Sequence, residues 1–364
     1  MNLSSRGHTI MVADNYLRRR IGRELHAEPL YEVPNLHERV RVWRGVSGNN
    51  IEVCIGNLQE WDFIAELFSK FVPDAIIHYA EQPSAPYSML DRRAAILTLH
   101  NNLGVTANLI YAVREFCPEA HIVKLGTMGE YGTPDIDIEE GWLNVEHKGR
   151  RHRFLYPRQA GSLYHTTKIM DTDLLWFYVR TWKLRVTDLM QGPVFGIFTD
   201  EAIEDPLLPF LFYDEILGTV LNRFVVQAVA GHPLTVYGKG GQTRGYLNIK
   251  DTLNCVRLAL ENPPEAGDLR IFNQFTETFS VTELAERVKR AGDSLGLDVS
   301  IEHVENPRIE LEEHYYNPAH SELLKLGLEP HYLTDEVLVE MMEFVVRHRD
   351  RIDPEKFVRG VTWS

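Results

Sequence analysis

Short apolar runs alternate with amphipathic stretches through the first half of the chain. Trp61–Phe71 and Asn101–Phe116 place apolar residues at the spacing of one helix face, between runs rich in β-branched residues. This alternation is typical of parallel strands joined by crossover helices. The pattern predicts an α/β fold with a doubly wound parallel sheet, whose strands are HTIMVAD, IEVCIG, DAIIHYA, HIVKLG and LRVTDLM.

The periodicity loosens after about Gly192 into segments that contain proline and glycine. It recovers in Val281–Ala291 and Asp335–His348, which are predicted as amphipathic helices. We therefore expect a smaller C-terminal substrate-binding domain interleaved with the sheet domain. The sheet domain is predicted at 1–192 and about 244–279, and the smaller domain at about 193–243 and 280–364.

The composition argues against some classes of partner and indicates a cellular compartment. A formal charge of −14 argues against nucleic acid or an anionic membrane surface as partner, because both attract an excess of Lys and Arg. The three cysteines, Cys54, Cys117 and Cys255, have no metal-ligand spacing, so no metal site is predicted and a reducing compartment fits. No apolar run approaches the roughly 18 residues that span a bilayer. We expect a cytoplasmic protein.

The strongest chemical signal is the pair Tyr164 and Lys168, four residues apart on one face of a predicted helix. A phenol is a poor base at neutral pH, but a neighbouring ammonium stabilises the phenolate. Thr127 follows the strand HIVKLG at its carboxyl end, which is the usual ligand side of such a sheet. Its hydroxyl can bond the same substrate hydroxyl that Tyr164 deprotonates.

Several long blocks give the chain a resemblance to the UDP-sulfoquinovose synthases, which are NAD-dependent epimerase/dehydratases of the extended short-chain dehydrogenase/reductase family with a Rossmann-like sheet. The resemblance covers nearly the whole chain. The blocks that carry it are KLGTMGEYGTPDIDIEEG, the EQPSAPYSM run, YGKGGQTRGYLNIKDT and NPRIELEEHYYN.

The resemblance implies a reaction and the residues that perform it. In the family a tightly held NAD oxidises the glucose C4 hydroxyl of UDP-glucose, water is lost across C5 and C6, sulfite adds at C6, and the C4 ketone is reduced. Tyr164, Lys168 and Thr127 would serve the hydride steps, and Glu130 or His165 would be the acid/base group of the elimination. Met128 stands where ordinary 4,6-dehydratases keep an acidic residue.

The resemblance also implies the binding residues. The diphosphate is expected to meet arginine because its planar donors match phosphate oxygens two at a time. The expected cofactor residues are Asp14, Asn15, Arg18, Asn57, Leu58, Tyr79 and Asn102, with Tyr164 and Lys168. The expected substrate residues are Gln82, Ser84, Ser162, Gln191, Asn222, Gln242, Arg244 and Arg308, of which Ser162 (with His165) is also a candidate for sulfite.

The chain departs from the family at its start. HTIMVAD ends in Asp14, which matches the residue that closes the second strand of a dinucleotide-binding unit and binds the adenosine ribose. The first strand and its glycine-rich phosphate turn are therefore expected to be missing, and we expect a native reading frame that extends roughly 20 residues upstream. The glycines of 126–132 and 238–241 do not open a helix after a first strand, so neither group is that turn.

Two other functions stay open. Pro83 stands where the family has an arginine, and proline cannot donate to an anion, so a sulfite-independent nucleotide-sugar 4-epimerase or dehydratase is one alternative. A non-catalytic sugar-nucleotide-binding relative is the other, because the phosphate turn is missing. The helices around 94–116 and 164–182 correspond to those of a dimer interface in relatives, so a homodimer is expected.

Overall fold

The computed structural model describes residues 1–202, 204–307, 314–357 and 360–362. Within these ranges, no helix has both the length and the apolar composition needed to cross a bilayer.

The strands are short, and the five predicted from the sequence are present. In chain order they are β1 (Ile10–Asp14), β2 (Ile51–Ile55), β3 (Ala75–His78), β4 (His121–Thr127), β5 (Trp142–His147), β6 (Arg150–Leu155), β7 (Arg185–Gln191), β8 (Val194–Phe195), β9 (Leu234–Tyr237), β10 (Thr243–Asn248), β11 (Leu269–Gln274), β12 (Glu277–Ser280) and β13 (Ile301–Val304).

The helices alternate with these strands. They are α1 (Asn2–Ser5), α2 (Leu17–Glu24), α3 (Leu36–Ser47), α4 (Trp61–Phe71), α5 (Ala85–Ser88), α6 (Arg92–Phe116), α7 (Leu163–Trp182), α8 (Val220–Ala230), α9 (Ile249–Glu261), α10 (Val281–Ser294), α11 (Glu322–Lys325) and α12 (Asp335–Val346).

The central sheet has the order β11–β7–β4–β3, and all its neighbours are parallel. The strands β1 and β2 form a separate parallel pair. Among the described residues no strand joins this pair to β3, so both groups present an edge with unpaired backbone groups. The α/β fold predicted from the alternation is confirmed.

Two large apolar cores hold this arrangement. The first lies between the central sheet and α4, α6 and α7, where Ile110, Ile122, Leu175 and Val186 are fully buried. The second joins α8, α10 and α12 around side chains such as Phe224. Because the sheet is packed on rigid helices, the loops at the carboxyl ends of its strands are held in fixed positions. The division into two domains stays a prediction.

Two buried histidines make the fold sensitive to acid. The ring of His78 lies 3.1 Å from Thr106 Oγ1, and that of His121 lies 2.8 Å from Thr187 Oγ1. Burial lowers the pKa of each ring to about 4. In the unfolded chain these rings take up a proton near pH 6.5, so between about pH 6.5 and 4 the unfolded state binds more protons and stability falls as the pH falls.

We therefore expect the free energy of unfolding to decrease on acidification through this window, and H121Q to reduce the slope by up to about 1.4 kcal/mol per pH unit. Denaturant unfolding at several pH values measures the slope. The exposed His8 offers a control, since H8Q should leave the slope unchanged. An H121Q slope equal to that of the wild type would refute the assignment.

Candidate active site

The amino terminus of α7 brings the predicted tyrosine and lysine to one buried face. Ser162 caps the helix, its Oγ accepting a hydrogen bond from the His165 backbone N at 3.2 Å. Tyr164 and Lys168 then follow on successive turns, at 9 % and 2 % exposure. Residues four apart on a helix are neighbours, so both groups face the same space.

Tyr164 is fixed by the segment that follows β3. Its backbone N donates to Ser88 Oγ at 3.1 Å, and its ring lies beside that of His165 with centroids 5.2 Å apart. Burial raises the pKa of Tyr164, and the charges of Glu81 and Glu130 raise it further. Burial therefore opposes the lowering of the phenol pKa that was expected from Lys168, and that expectation stays a prediction.

Lys168 has a close carboxylate partner in Glu81. Its Nζ is 2.6 Å from Glu81 Oε2, and both side chains are almost fully buried. Although burial opposes the positive charge, Glu81 and Asp171 raise the pKa of Lys168. The ammonium of Lys168 is therefore charged and paired with the Glu81 carboxylate. Sequence reasoning did not single out Glu81 as a site residue.

The turn after β4 positions Thr127. Its Oγ1 accepts a hydrogen bond from Gly129 N at 3.2 Å, which leaves the hydroxyl proton available to a ligand. Gly129 is required here, because a Cβ would collide with the His165 ring. That ring also contacts Ser162, with Nδ1 3.1 Å from Oγ. His165 thus lies between Tyr164 and the turn of Thr127, and Ser162 contacts the same ring.

Glu130 differs from the other predicted catalytic residues because its carboxylate is completely buried. It accepts from Thr127 N at 3.3 Å and lies 3.4 Å from Lys124 Nζ and 3.5 Å from Arg158 Nη1. Burial raises its pKa. The structure places Glu130 beneath the site, in a cluster of charges, while His165 lies beside the tyrosine. Met128 is also buried, at 4 % exposure.

Lys124 is the centre of that charge cluster. Its Nζ donates to Lys168 O at 3.0 Å, Thr172 Oγ1 at 2.6 Å and Asp188 Oδ2 at 3.1 Å. Asp188 also accepts from Thr172 at 2.7 Å. The cluster therefore ties β4 and β7 to the turn of α7 that carries Lys168. A signal existed in the sequence: Lys124 and Asp188 interrupt otherwise apolar strands, and buried charges need partners.

Three predicted binding residues hold the loop after β3. Asn102 accepts from Gln82 N at 2.9 Å and donates to Thr167 Oγ1 at 3.1 Å. The Gln82 side chain donates to Ser84 O at 3.0 Å and to Thr98 Oγ1 at 2.9 Å, and Ser84 Oγ donates to Ile216 O at 2.5 Å. These polar groups form hydrogen bonds within the protein, and the bonds hold the loop that carries Glu81.

The predicted adenosine residues gather at the carboxyl ends of β1 and β2. The Asp14 side chain is exposed and accepts from Tyr16 N at 2.5 Å, and Asn15 Nδ2 lies 3.4 Å from Asn57 Oδ1. Leu58 follows Asn57 and packs on the core beside the sheet. An exposed carboxylate at a strand end is suited to hydroxyl groups of a ribose.

Arg18 lies on α2, and Tyr79 directly follows β3. Tyr79 is 46 % exposed, and Arg18 is partly exposed. The guanidinium of Arg18 lies 4.3 Å from the centre of the Phe212 ring. Desolvation of this charged end lowers the pKa of Arg18 to about 10, and its charge interacts with Asp214 and with Tyr164. Arg18 therefore brings a cation toward the tyrosine.

The predicted sugar-nucleotide residues lie on β10 and its surroundings. Arg244 Nη1 donates to Thr243 O at 2.7 Å and contacts His314 Nε2 at 2.8 Å, and burial lowers its pKa. Gln242 is 5 % exposed and donates to Tyr237 O at 3.5 Å. The structure does not bring together all the remaining residues: Gln191 bonds Thr252, Asn222 donates to Phe212 O, and Arg308 lies outside the described residues.

Comparisons with known proteins show the family of the chain. The pattern described as the NAD dependent epimerase/dehydratase family matches residues 7–273. The chloroplastic UDP-sulfoquinovose synthase of Spinacia oleracea is 47 % identical over 365 residues, which covers 100 % of this chain and 76 % of that protein. The UDP-sulfoquinovose synthase of Sulfolobus acidocaldarius is 43 % identical, covering 98 % of this chain and 91 % of that protein.

Solved structures agree on the fold. UDP-glucose 4-epimerase from Bifidobacterium longum, in complex with NAD+ and UDP, superposes with a TM-score of 0.70 at 18 % identity, covering 96 % of this chain and 94 % of that one. The UDP-glucose 4-epimerase of Thermotoga maritima, with UDP-glucose, gives 0.68 at 18 % identity, covering 95 % and 93 %. At this identity the likeness concerns the fold alone.

Proposed function

Since the chain belongs to the NAD dependent epimerase/dehydratase family, we propose that it converts UDP-glucose and sulfite to UDP-sulfoquinovose. The observation that carries the proposal is the buried face of α7, where Tyr164 and Lys168 lie together with the His165 ring beside the tyrosine, in a chain 47 % identical to a UDP-sulfoquinovose synthase over 100 % of this chain. This face offers a proton-transfer group next to groups that bind a sugar hydroxyl.

The family cofactor is NAD, and two groups of side chains fit its two ends. Asp14, exposed at the end of β1, suits the adenosine ribose, and Lys168 with Tyr164 suits the nicotinamide end. Since β1 matches the second strand of a dinucleotide-binding unit, the turn after it is not the phosphate turn, and it carries Tyr16 with φ of 56°. When bound, the dinucleotide supplies a reversible hydride acceptor for the sugar C4.

Side chains of the protein carry out the proton transfers of the reaction. Tyr164 takes the proton of the C4 hydroxyl as the ketone forms and returns it when the ketone is reduced, while Thr127 holds the same oxygen. The C4 ketone acidifies the C5 proton, so a base can remove it and the C6 hydroxyl leaves as water. His165, beside Tyr164 and hydrogen-bonded with Ser162, is the acid/base group that we assign to this step. Sulfite then adds to C6 of the C5=C6 double bond, which forms the C6–S bond while C5 regains a proton from the same acid/base group.

Sulfite needs donors and positive charge. Ser162 and His165 provide donors beside the tyrosine. Pro83 provides none, but Arg18 is partly exposed and its charge interacts with Tyr164. These groups support a site for a small dianion despite the departure at Pro83.

The experiment that tests the function compares three nucleotide sugars, UDP-glucose, UDP-galactose and UDP-glucuronate, each with and without sulfite. We expect UDP-glucose to be consumed in a sulfite-dependent reaction and the others to remain. Interconversion of UDP-glucose and UDP-galactose without a need for sulfite would instead favour a 4-epimerase. Inertness of all three, with NAD present, would favour a binding protein.

The diphosphate assignment gives a second expected result. R244M removes a guanidinium that would donate to phosphate oxygens, and hydrogen bonds to charged groups contribute about 1.5–3 kcal/mol. We expect the KM for UDP-glucose to rise about 10- to 100-fold with kcat little changed. Steady-state kinetics measure both constants, and R244K, which keeps the charge, should recover part of the loss. An unchanged KM in R244M would contradict the assignment.

The assembly and compartment also stay predictions. The exposed side chains of Tyr111 and Phe177, at 49 % each, lie on α6 and α7, and this apolar surface supports the expected homodimer. The cysteines are free in the described chain, as expected for a reducing cytoplasm.

A further inference from the structure

Glu81 and Lys168 form a buried ion pair directly behind the reactive tyrosine. The Nζ–Oε2 distance is 2.6 Å, and the side chains are 3 % and 4 % exposed. Glu81 follows β3, while Lys168 lies on α7, and the Gln82–Asn102–Thr167 hydrogen bonds lock these two elements together. The pair is therefore held by the fold and is not a chance contact of flexible side chains.

Titratable groups from several elements surround the pair. His78 Nε2 lies 3.4 Å from Glu81 Oε1, but burial lowers the pKa of His78 to about 4, so the ring is neutral near pH 7. Asp171, one turn beyond Lys168, is buried, and burial raises its pKa well above the usual range. The remaining charged groups, Lys124 and Glu130, reach the site from β4 and the turn after it.

The proposed reaction needs Tyr164 in two opposite roles at one pH: as a base while the C4 ketone forms, and as an acid while the ketone is reduced. A lysine charge with no counter-charge would favour the phenolate and so hinder the second role. A carboxylate 2.6 Å from the ammonium offsets that charge. We propose that Glu81 is a positioning residue that sets the proton affinity of Tyr164 through Lys168, so that the phenol can both lose and regain its proton.

This inference rests on the proposed function for its purpose, but its physical content can be tested without substrate. E81Q keeps the size of the side chain and its ability to accept from Lys168, and removes only the negative charge. We expect the pKa of Tyr164 to fall by about one unit or more. Near-ultraviolet titration of tyrosinate absorbance, with the same titration of E81Q/Y164F subtracted, isolates the signal of Tyr164, and the wild type is treated in the same way with Y164F.

A matched control is available on the surface. Glu66 pairs with Lys70 on α4, and both are well exposed, so E66Q makes the same chemical change in a solvated pair. E66Q should leave the tyrosinate titration and the kcat profile unchanged. E81D, whose shorter side chain keeps the charge but lengthens the ion pair, should shift the titration in the same direction as E81Q by a smaller amount. It also tests the inference if E81Q does not fold.

The activity readout separates this inference from the proposed function. If the chain is the synthase, the acid limb of the kcat profile should move to lower pH in E81Q, in step with the titration. A shifted titration in a chain that makes no sulfosugar would uphold the role of Glu81 and overturn the function. A tyrosinate titration identical in wild type, E81Q and E81D would overturn the role of Glu81, whatever the activity.

Discussion

Y164F is expected to lower kcat for sulfosugar formation by about 10²- to 10⁴-fold, the usual contribution of a positioned acid/base group. The substitution removes one hydroxyl from a residue whose ring and backbone are already fixed, by His165 and by the hydrogen bond to Ser88. We therefore expect the fold and the KM to be nearly unchanged. Product formation under substrate saturation, with the NAD content of both proteins recorded, measures the effect.

The control for this prediction is another buried tyrosine. Tyr156 is 2 % exposed and donates its hydroxyl to Asp137 O at 2.9 Å. Y156F should change stability slightly and kcat by less than the experimental error. A kcat for Y164F that stays near the wild-type value would remove Tyr164 from the chemistry.

K124M is expected to lower the free energy of unfolding by about 3–5 kcal/mol, because removing one member of a buried ion pair leaves the others uncompensated. Lys124 has no exposed side-chain surface, and methionine would leave Asp188 and Glu130 buried without the ammonium. Denaturant unfolding measures the change. Activity should fall with it, because Lys124 also donates to the carbonyl of Lys168.

Two controls show whether the loss of stability comes from the buried charges or from the loss of any lysine. One removes a surface lysine, and the other also removes the carboxylates that K124M leaves unpaired. K70M removes a lysine from an exposed pair on α4 and should cost less than about 1 kcal/mol. Adding E130Q and D188N to K124M removes the orphaned charges and should restore part of the stability. If K124M were as stable as K70M, Lys124 would not form the buried ion pairs with Glu130 and Asp188 that the distances indicate.

Much of the scaffold was predictable because burial imposes a periodic pattern. Trp61–Phe71 matches α4, and HIVKLG marks β4. The helix predicted around 94–116 begins at Arg92, where the Asp91 side chain caps it. The sequence thus located this helix to within two residues.

The site was predictable only as far as local spacing reaches. The four-residue spacing alone places Tyr164 and Lys168 on one helix face, and Ser162 and His165 are close to them in the sequence. The pair of Lys168 with Glu81 depends on how the loop after β3 packs on α7, and no local spacing contains that information. The same holds for Glu130, which the sequence offered as an acid/base group and which the fold buries against Lys124.

The most direct test of the central claim is to incubate the protein with NAD, UDP-glucose and sulfite that carries a heavy sulfur isotope. The mass of the sugar nucleotide is then measured by mass spectrometry. The account predicts a product that has lost the C6 hydroxyl oxygen and gained the labelled sulfonate, and that Y164F forms it far more slowly. A sugar nucleotide without labelled sulfur, whether unchanged UDP-glucose or its C4 epimer, would contradict it.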